Sequence, residues 1–326
     1  MKSNHCGHQW MIALTQKLSE CELDLELKNI LEHLLEDSYF ALYMDKNVGA
    51  QPQPICVFAS QGFPAYNNKQ VSNAMQTLDC ELVRISGQDG KHCFFPMHRN
   101  GKLIGFVVAQ SKVLAKLENA FVITNILNIY ANQQYLLYRS RLDPLTELLN
   151  RQSFDSEVMD ILQQNHLLSE LGDVPNWFLA MIDIDHFKEV NDNFGHVIGD
   201  EVIILVARML RDSFDHKDFV FRYGGEEFTV LFRANDMQQA KQMLDACRRN
   251  IAKREFPRVK SLTVSCGFCQ LIGSDMVPQL VQKADTALYA AKNGGRNQVV
   301  NFHELPTANL SGDYGEGFDD DMLELF

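Results

Sequence analysis

Phe219-Val220-Phe221-Arg222-Tyr223-Gly224-Gly225-Glu226-Glu227-Phe228-Thr229-Val230-Leu231-Phe232 reads as two strands that meet at a glycine pair. The flanks are β-branched and aromatic, and Gly224-Gly225 is expected to supply the positive φ angles of a two-residue hairpin turn. Without a Cβ at two successive positions, a ligand can approach the backbone closely. Glu226 and Glu227 just beyond can hold a hard cation that itself binds phosphate oxygens. Taken alone, a glycine hairpin with solvated glutamates is a common surface turn, so its meaning depends on the rest of the chain.

Upstream, Trp177-Phe178-Leu179-Ala180-Met181-Ile182 is a continuous apolar run, as expected of a strand buried on both faces. It ends abruptly in Asp183-Ile184-Asp185, which puts carboxylates at the carboxyl end of the strand. Asp183 is assigned to metal. Asp185 is assigned to structure, either on the strand or capping the helix that begins His186-Phe187-Lys188. The backbone N–H groups of that helix start suit phosphate. Asn191 and Asp200 can read a purine edge, although each also fits a plainer role, a helix end and an N-cap after Gly199. Lys292 and Arg296, in Lys292-Asn293-Gly294-Gly295-Arg296-Asn297, fit helix C-capping and equally a pair of cations on a polyphosphate.

Around these motifs the C-terminal part alternates helix and strand. Helices are predicted after Asn150, after Asp185, from near Gly199, over 236–253 and over 277–292; strands are predicted over 177–182, 262–269 and 298–302. Mixed order with an antiparallel hairpin predicts an α/β (α+β) domain in which helices back a sheet, unlike a dinucleotide-binding fold.

The N-terminal part opens with one helical pattern through Leu14, Leu18, Leu23, Leu27, Ile30, Leu31 and Leu34. Strands follow at 39–44, 55–59, 93–97 and 103–109, the last two joined by the turn signal Arg99-Asn100-Gly101-Lys102. From Lys116 to Arg141, Ala120, Ile123, Leu127, Tyr130, Gln134 and Leu137 recur at spacings of three and four, a seam of roughly three heptads. A single helix packed on its own domain fits this pattern, and its place between two modules favours a parallel dimer stalk. The expected organisation is therefore a domain over 1–115, a linker helix over 116–141, a second domain over 142–303 and an acidic, disordered tail over 304–326.

With 326 residues and a formal charge of −12, the chain is expected to avoid nucleic acid and anionic membranes. Its N-terminus lacks a signal layout and no apolar run reaches membrane-spanning length, so a cytoplasmic protein without membrane insertion is expected. Eight scattered cysteines do not form a disulfide framework. Cys266 and Cys269 look like half a metal or redox motif, but three positions apart on a strand they face opposite sides, which makes them structural thiols. His5, Cys6 and His8 are read as part of a frayed terminus rather than a metal site.

Together, Asp143-Pro-Leu-Thr-Glu-Leu-Leu-Asn-Arg151, Asp183-Ile-Asp-His-Phe-Lys188, Asn191, Phe194-Gly195-His196, Gly199-Asp200, the hairpin, Ser265-Cys-Gly267, Ala284-Asp285-Thr-Ala-Leu-Tyr289, Lys292 and Gly295-Arg296-Asn297 closely resemble the GGDEF diguanylate cyclase domain. The resemblance runs from about 141 to 302. It implies a palm-like domain with a central mixed sheet flanked by helices, and condensation of two GTP into cyclic di-GMP with release of pyrophosphate. It further implies that Asp183, the Ile184 carbonyl and Glu226 hold Mg²⁺ or Mn²⁺, that Asn191 and Asp200 bind guanine, and that Glu227 activates the ribose 3′-hydroxyl. Phosphate contacts fall to Phe187, Lys188, Gly224, Gly225, Lys292 and Arg296. Because each domain offers half a site, a homodimer is implied. Asp215-His216-Lys217-Asp218 lacks the arginine of the family's Arg-x-x-Asp inhibitory product site, so that site is expected to be absent, with Lys217 or Arg211 a weak substitute. The strand pair 94–97 and 101–108 resembles late strands of GAF sensor domains and implies a sensory or dimerising first domain, its ligand or partner unknown. The competing expectation is a catalytically silent receptor for GTP or cyclic di-GMP.

Overall fold

The computed structural model describes residues 3–36, 38–45, 54–78, 83–87, 90–99, 101–111, 117–169, 176–272 and 275–306. The acidic tail beyond 306, the helix start at Lys116, Cys80 and Asn100 lie outside the described residues, as do the side chains of His5 and Cys6. The chain divides into two compact units, Met1–Ser140 and Arg141–Phe326.

In the first unit, the expected leading helix is two: α1 (Ser3–Thr15) and α2 (Glu20–Leu34). The break is a capping event, with the Ser19 side chain accepting from the Glu22 N–H at 3.3 Å. It takes Leu18 out of the buried stripe and leaves it 85% exposed. Strands β1 (Tyr39–Met44) and β2 (Ile55–Ala59) come next, followed by α3 (Asn68–Thr77), β3 (Val83–Gly87), β4 (Gly90–Arg99), β5 (Lys102–Ser111) and α4 (Leu117–Ser140). The sheet order is β2-β1-β5-β4-β3, with every pair antiparallel. Alternate residues of β1 supply two cores. Phe40, Leu42 and Met44 pack with α1, α2 and α4, whereas Ala41 and Tyr43 pack with Val71 and Ala74 of α3.

The α4 seam departs from the expected dimer stalk. Ile123, Leu127 and Tyr130 are fully buried in the unit's own core. The polar seam residue Gln134 is buried as well, donating to Asp24 Oδ1 of α2 at 2.9 Å and to Tyr130 Oη at 3.1 Å. Tyr130 Oη donates to the same Asp24 oxygen at 2.5 Å. A helical apolar stripe specifies burial but not its partner, and here the partner is intramolecular.

The second unit runs β6 (Leu149–Asn150), α5 (Arg151–Ser169), β7 (Trp177–Ile184), α6 (Phe187–Phe194), α7 (His196–Ser213), β8 (Phe219–Arg222), β9 (Glu227–Arg233), α8 (Met237–Lys253), β10 (Val264–Gln270), α9 (Val277–Asn293) and β11 (Val299–Asn301). A closing 3-10 turn, Phe302–Glu304, extends the fold past the expected start of the tail, and Glu304 pairs with Lys241 at 2.6 Å. The mixed sheet has the order β11-β10-β7-β9-β8-β6, parallel at its two edge pairs and antiparallel within. Central β7 alternates as its apolar run requires. Phe178, Ala180 and Ile182 face the core built with α6, α7 and α8, and Leu179 and Met181 face the core built with α5 and α9. Cys266 and Cys269 lie in these two opposite cores, and burial pushes the Cys269 thiol up to about 12.

Two local expectations change. Helix α7 starts at His196, because Gly195 (φ 80°) ends α6 and opens α7 at once; Asp200 therefore lies inside α7 and is no N-cap. Asp185 does not cap α6 either: His186 holds that position with φ 58°, and no side chain caps the helix.

Candidate active site

The site lies at the carboxyl end of β7. Register sets Asp183 of β7 directly across from Glu227 of β9, and the Ile184 N–H donates to the Glu226 carbonyl at 3.4 Å. Asp183 is 5% exposed and accepts from Lys292 Nζ of α9 at 2.8 Å. Burial raises the Asp183 carboxyl above its ordinary value, with Asp185 adding to the rise and Lys292 and Arg296 opposing it. Burial also raises Glu227; the Asp183 and Asp285 charges push it the same way, and Lys292 and Arg151 oppose them. The fold thus sets Asp183 across from Glu227 and puts the Glu226 backbone beside Ile184 at the same strand end, where the resemblance implies Glu226 as the second metal carboxylate.

The hairpin glycines work differently from expectation. The loop spans four residues between β8 and β9, and neither Gly224 nor Gly225 has a left-handed φ. What demands glycine is space. A Cβ on Gly224 would stand 2.5 Å from Glu227 Oε2, so the missing methyl lets the carboxylate fold back over the turn. The Tyr223 and Gly224 N–H groups both donate to the Glu227 carbonyl, at 2.8 and 3.2 Å.

Arg222 pins the turn from below, a role that sequence reasoning missed. Its guanidinium donates to the Gly225 carbonyl at 2.8 and 3.2 Å and to both Asp143 oxygens at 3.2 Å. Burial works against the Asp143 carboxylate, yet hydrogen bonds from Thr146 and the Arg222 charge hold it below its ordinary value. The signal was present in the motif containing Asp143 and in the residue before Tyr223, but nothing in their spacing showed that they meet. Arg151 was likewise unassigned; its guanidinium lies over the Tyr223 ring, 4.8 Å from the centroid.

On the other side of β7, Asn191 of α6 faces Gly199 of α7 so closely that a Cβ there would fall 2.1 Å from Asn191 Oδ1. That oxygen is a buried acceptor without a hydrogen-bond partner, and Asp200 follows on the exposed side of α7. Phe187 is buried and Lys188 exposed in the first turn of α6. Asp185 accepts from Thr263 Oγ1 at 2.6 Å, Ser265 Oγ at 2.7 Å and the Asn297 N–H at 3.0 Å, as a structural residue should.

Asp215 and Asp218 are engaged in their own turn. Asp218 accepts from the Asp215 N–H at 3.0 Å and the Arg233 N–H at 3.2 Å, and Asp215 Oδ1 accepts from the Lys217 N–H at 3.0 Å. Arg211, considered as a substitute cation, donates to the Thr146 carbonyl at 2.9 Å.

The donor set suits a hard divalent cation: two carboxylates in register, one of them buried, beside a strand-end carbonyl. Among the described residues no group of three or more His, Cys, Asp or Glu side chains is placed to hold a metal ion, and no helix is long and apolar enough to cross a membrane.

Residues 140–298 match the family described as "Diguanylate cyclase, GGDEF domain". The chain is 36% identical over 164 residues to diguanylate cyclase VdcA of Vibrio cholerae, a match covering 48% of this chain and 46% of that protein. It is 38% identical over 160 residues to diguanylate cyclase DgcP of Pseudomonas aeruginosa, covering 48% of this chain and 23% of that one. The chain therefore spans less than half the length of these curated relatives. Among solved structures, the coiled coil and GGDEF domain of DgcB from Caulobacter crescentus, in complex with c-di-GMP, superimposes with a TM-score of 0.52 at 30% identity, covering 56% of this chain and 97% of that one.

Proposed function

Because the chain belongs to the GGDEF domain family, we propose that it is a diguanylate cyclase, joining two GTP into cyclic di-GMP and releasing pyrophosphate. The observation that carries this reading is the register of Asp183 against Glu227 beneath Lys292. In-line attack of a 3′-hydroxyl on an α-phosphorus needs concentrated positive charge at phosphate and a group to take the proton. Asp183, Glu227 and the Ile184 carbonyl would hold Mg²⁺ or Mn²⁺, which supplies the charge neutralisation on the phosphates. Glu226, outside the strand register, then becomes the candidate that accepts the hydroxyl proton, the reverse of the assignment that the resemblance implies.

Lys292 and Arg296 bind the terminal phosphates, and the first-turn N–H groups of Phe187 and Lys188 add backbone donors. Gly225, where an added Cβ would meet nothing within 4 Å, lets phosphate approach the hairpin, while Gly224 makes room for the Glu227 carboxylate. The Asn191 Oδ1 acceptor and the Asp200 carboxylate suit the N–H and amino donors of guanine. One domain offers half the groups that the ring closure needs, so two copies face each other in the working state, and the first unit regulates that encounter as a GAF-like sensory module. The Asp215–Asp218 turn, without its arginine, does not take up the product.

The test is direct: purified full chain with GTP and Mg²⁺ is expected to form cyclic di-GMP and pyrophosphate. GTP binding without product at any protein concentration would instead favour a silent receptor. Exchanging the two glutamates separates their roles. Glu227→Gln is expected to raise the Mg²⁺ concentration needed for activity, whereas Glu226→Gln is expected to lower turnover at saturating Mg²⁺ about 100-fold or more. The reverse pattern would restore the original assignment.

A further inference from the structure

Gly295, Arg296 and Asn297 take φ angles of 111°, 61° and 47°, three consecutive residues in the left-handed region. Such a run costs free energy at each non-glycine position and persists only where the surroundings hold it. Two anchors do so from outside the loop. The Asn297 N–H donates to Asp185 Oδ2 at 3.0 Å, and the Asn297 Oδ1 accepts from Arg248 Nη1 of α8 at 2.6 Å. Arg248 is itself oriented by Asp245, one helical turn earlier, which accepts from its Nε at 2.8 Å; its side chain is 15% exposed. Inside the loop, the Arg296 N–H donates to the Ala291 carbonyl at 3.0 Å, and Gln298 Nε2 donates to the same carbonyl at 2.8 Å.

We propose that Arg248, acting through Asn297, is a positioning residue that holds the strained loop so that Arg296 is presented to polyphosphate. Arg248 turns Nε and Nη2 to Asp245 and Nη1 to Asn297, both protein groups, and the part assigned to it is to fix the geometry of the loop. The arrangement preorganises a cation on a backbone it would otherwise leave, which lowers the ordering cost of binding. The proposal rests on the reading of Arg296 as a phosphate ligand.

Binding of inorganic tripolyphosphate to the full chain tests it without requiring turnover. Arg248→Met is expected to weaken binding about tenfold, Arg248→Lys to recover part of the loss, and Arg248→Met to have no further effect once Arg296→Ala is present. The KM for GTP should rise by a similar factor with a smaller change in kcat. Should Arg248→Met fail to fold, Asn297→Ser removes the acceptor from the other end and is expected to give the same loss. Wild-type affinity in both variants, a loss that persists in the Arg296→Ala background, or no tripolyphosphate binding by the wild type would overturn the proposal. An intact coupling in a protein that makes no cyclic di-GMP would uphold the positioning role and sink the cyclase reading alone.

Discussion

Burial raises the carboxyl of Glu227 and the nearby Asp183 charge adds to the rise, so the folded state holds this proton more tightly than the unfolded chain does. Below the ordinary value of 4.5 both states are protonated and folding bears no penalty; as pH climbs through the raised folded value, that stability is lost. Glu227→Gln in metal-free buffer is therefore expected to raise the Tm by about 1–3 °C at pH 7, with the gain fading below about pH 4.5. An unchanged Tm at pH 7 would contradict the coupling. Gly224→Ala probes the same carboxylate from the turn. With no left-handed φ to forbid alanine, the backbone tolerates it, but the new methyl would stand 2.5 Å from Glu227 Oε2 and displace it. Turnover is expected to fall about tenfold or more with little loss of Tm; normal turnover would mean that the carboxylate position is not critical. The sequence made Gly224 conspicuous but suggested the wrong reason, because a side chain folding back over its own turn leaves no periodic trace.

At the scale of elements, patterns with a period were legible and pairings between distant segments were not. The apolar run of β7 and the β-branched flanks of the hairpin predicted strands that the sheet contains, and opposite facing of Cys266 and Cys269 followed from the period of two. By contrast, α3 was missed because NKQVSNAMQT is mostly polar; its signal was the capping box of Asn67 with Gln70, in which each backbone N–H is satisfied by the other's side chain at 2.9 and 3.0 Å. The α4 stripe was read correctly as buried, and of its two readings the structure shows the helix packed on its own domain. Gln134→Leu distinguishes the two packings. At a dimer seam, leucine would strengthen association. In the observed core it removes a donor from Asp24 and from the Tyr130 hydroxyl, and the unit is expected to lose about 1–2 kcal/mol in denaturant unfolding. A gain in stability with tighter self-association would favour the stalk.

At the scale of the whole molecule, each unit carries its own two cores, those of the first built from α1 to α4 and the strands β1, β2, β4 and β5, those of the second from the six-stranded sheet and its helices. The division into two parts was visible in the change from hairpin-linked strands to alternating helix and strand; the proposed requirement for two copies of the second part rests on chemistry. If each copy contributes half of the reacting groups, specific activity must rise with protein concentration until the two halves are saturated with each other, whereas a self-contained site would give a constant value. A fragment beginning at Arg141 is expected to keep its secondary structure, since its cores are its own, and to show that rise at higher concentration than the full chain if the first unit promotes the encounter. Sedimentation alongside turnover would show whether the two curves track dimer formation. Coincident curves for fragment and full chain would remove the first unit from control of the encounter, and a flat specific activity in both would place the complete reaction within one copy.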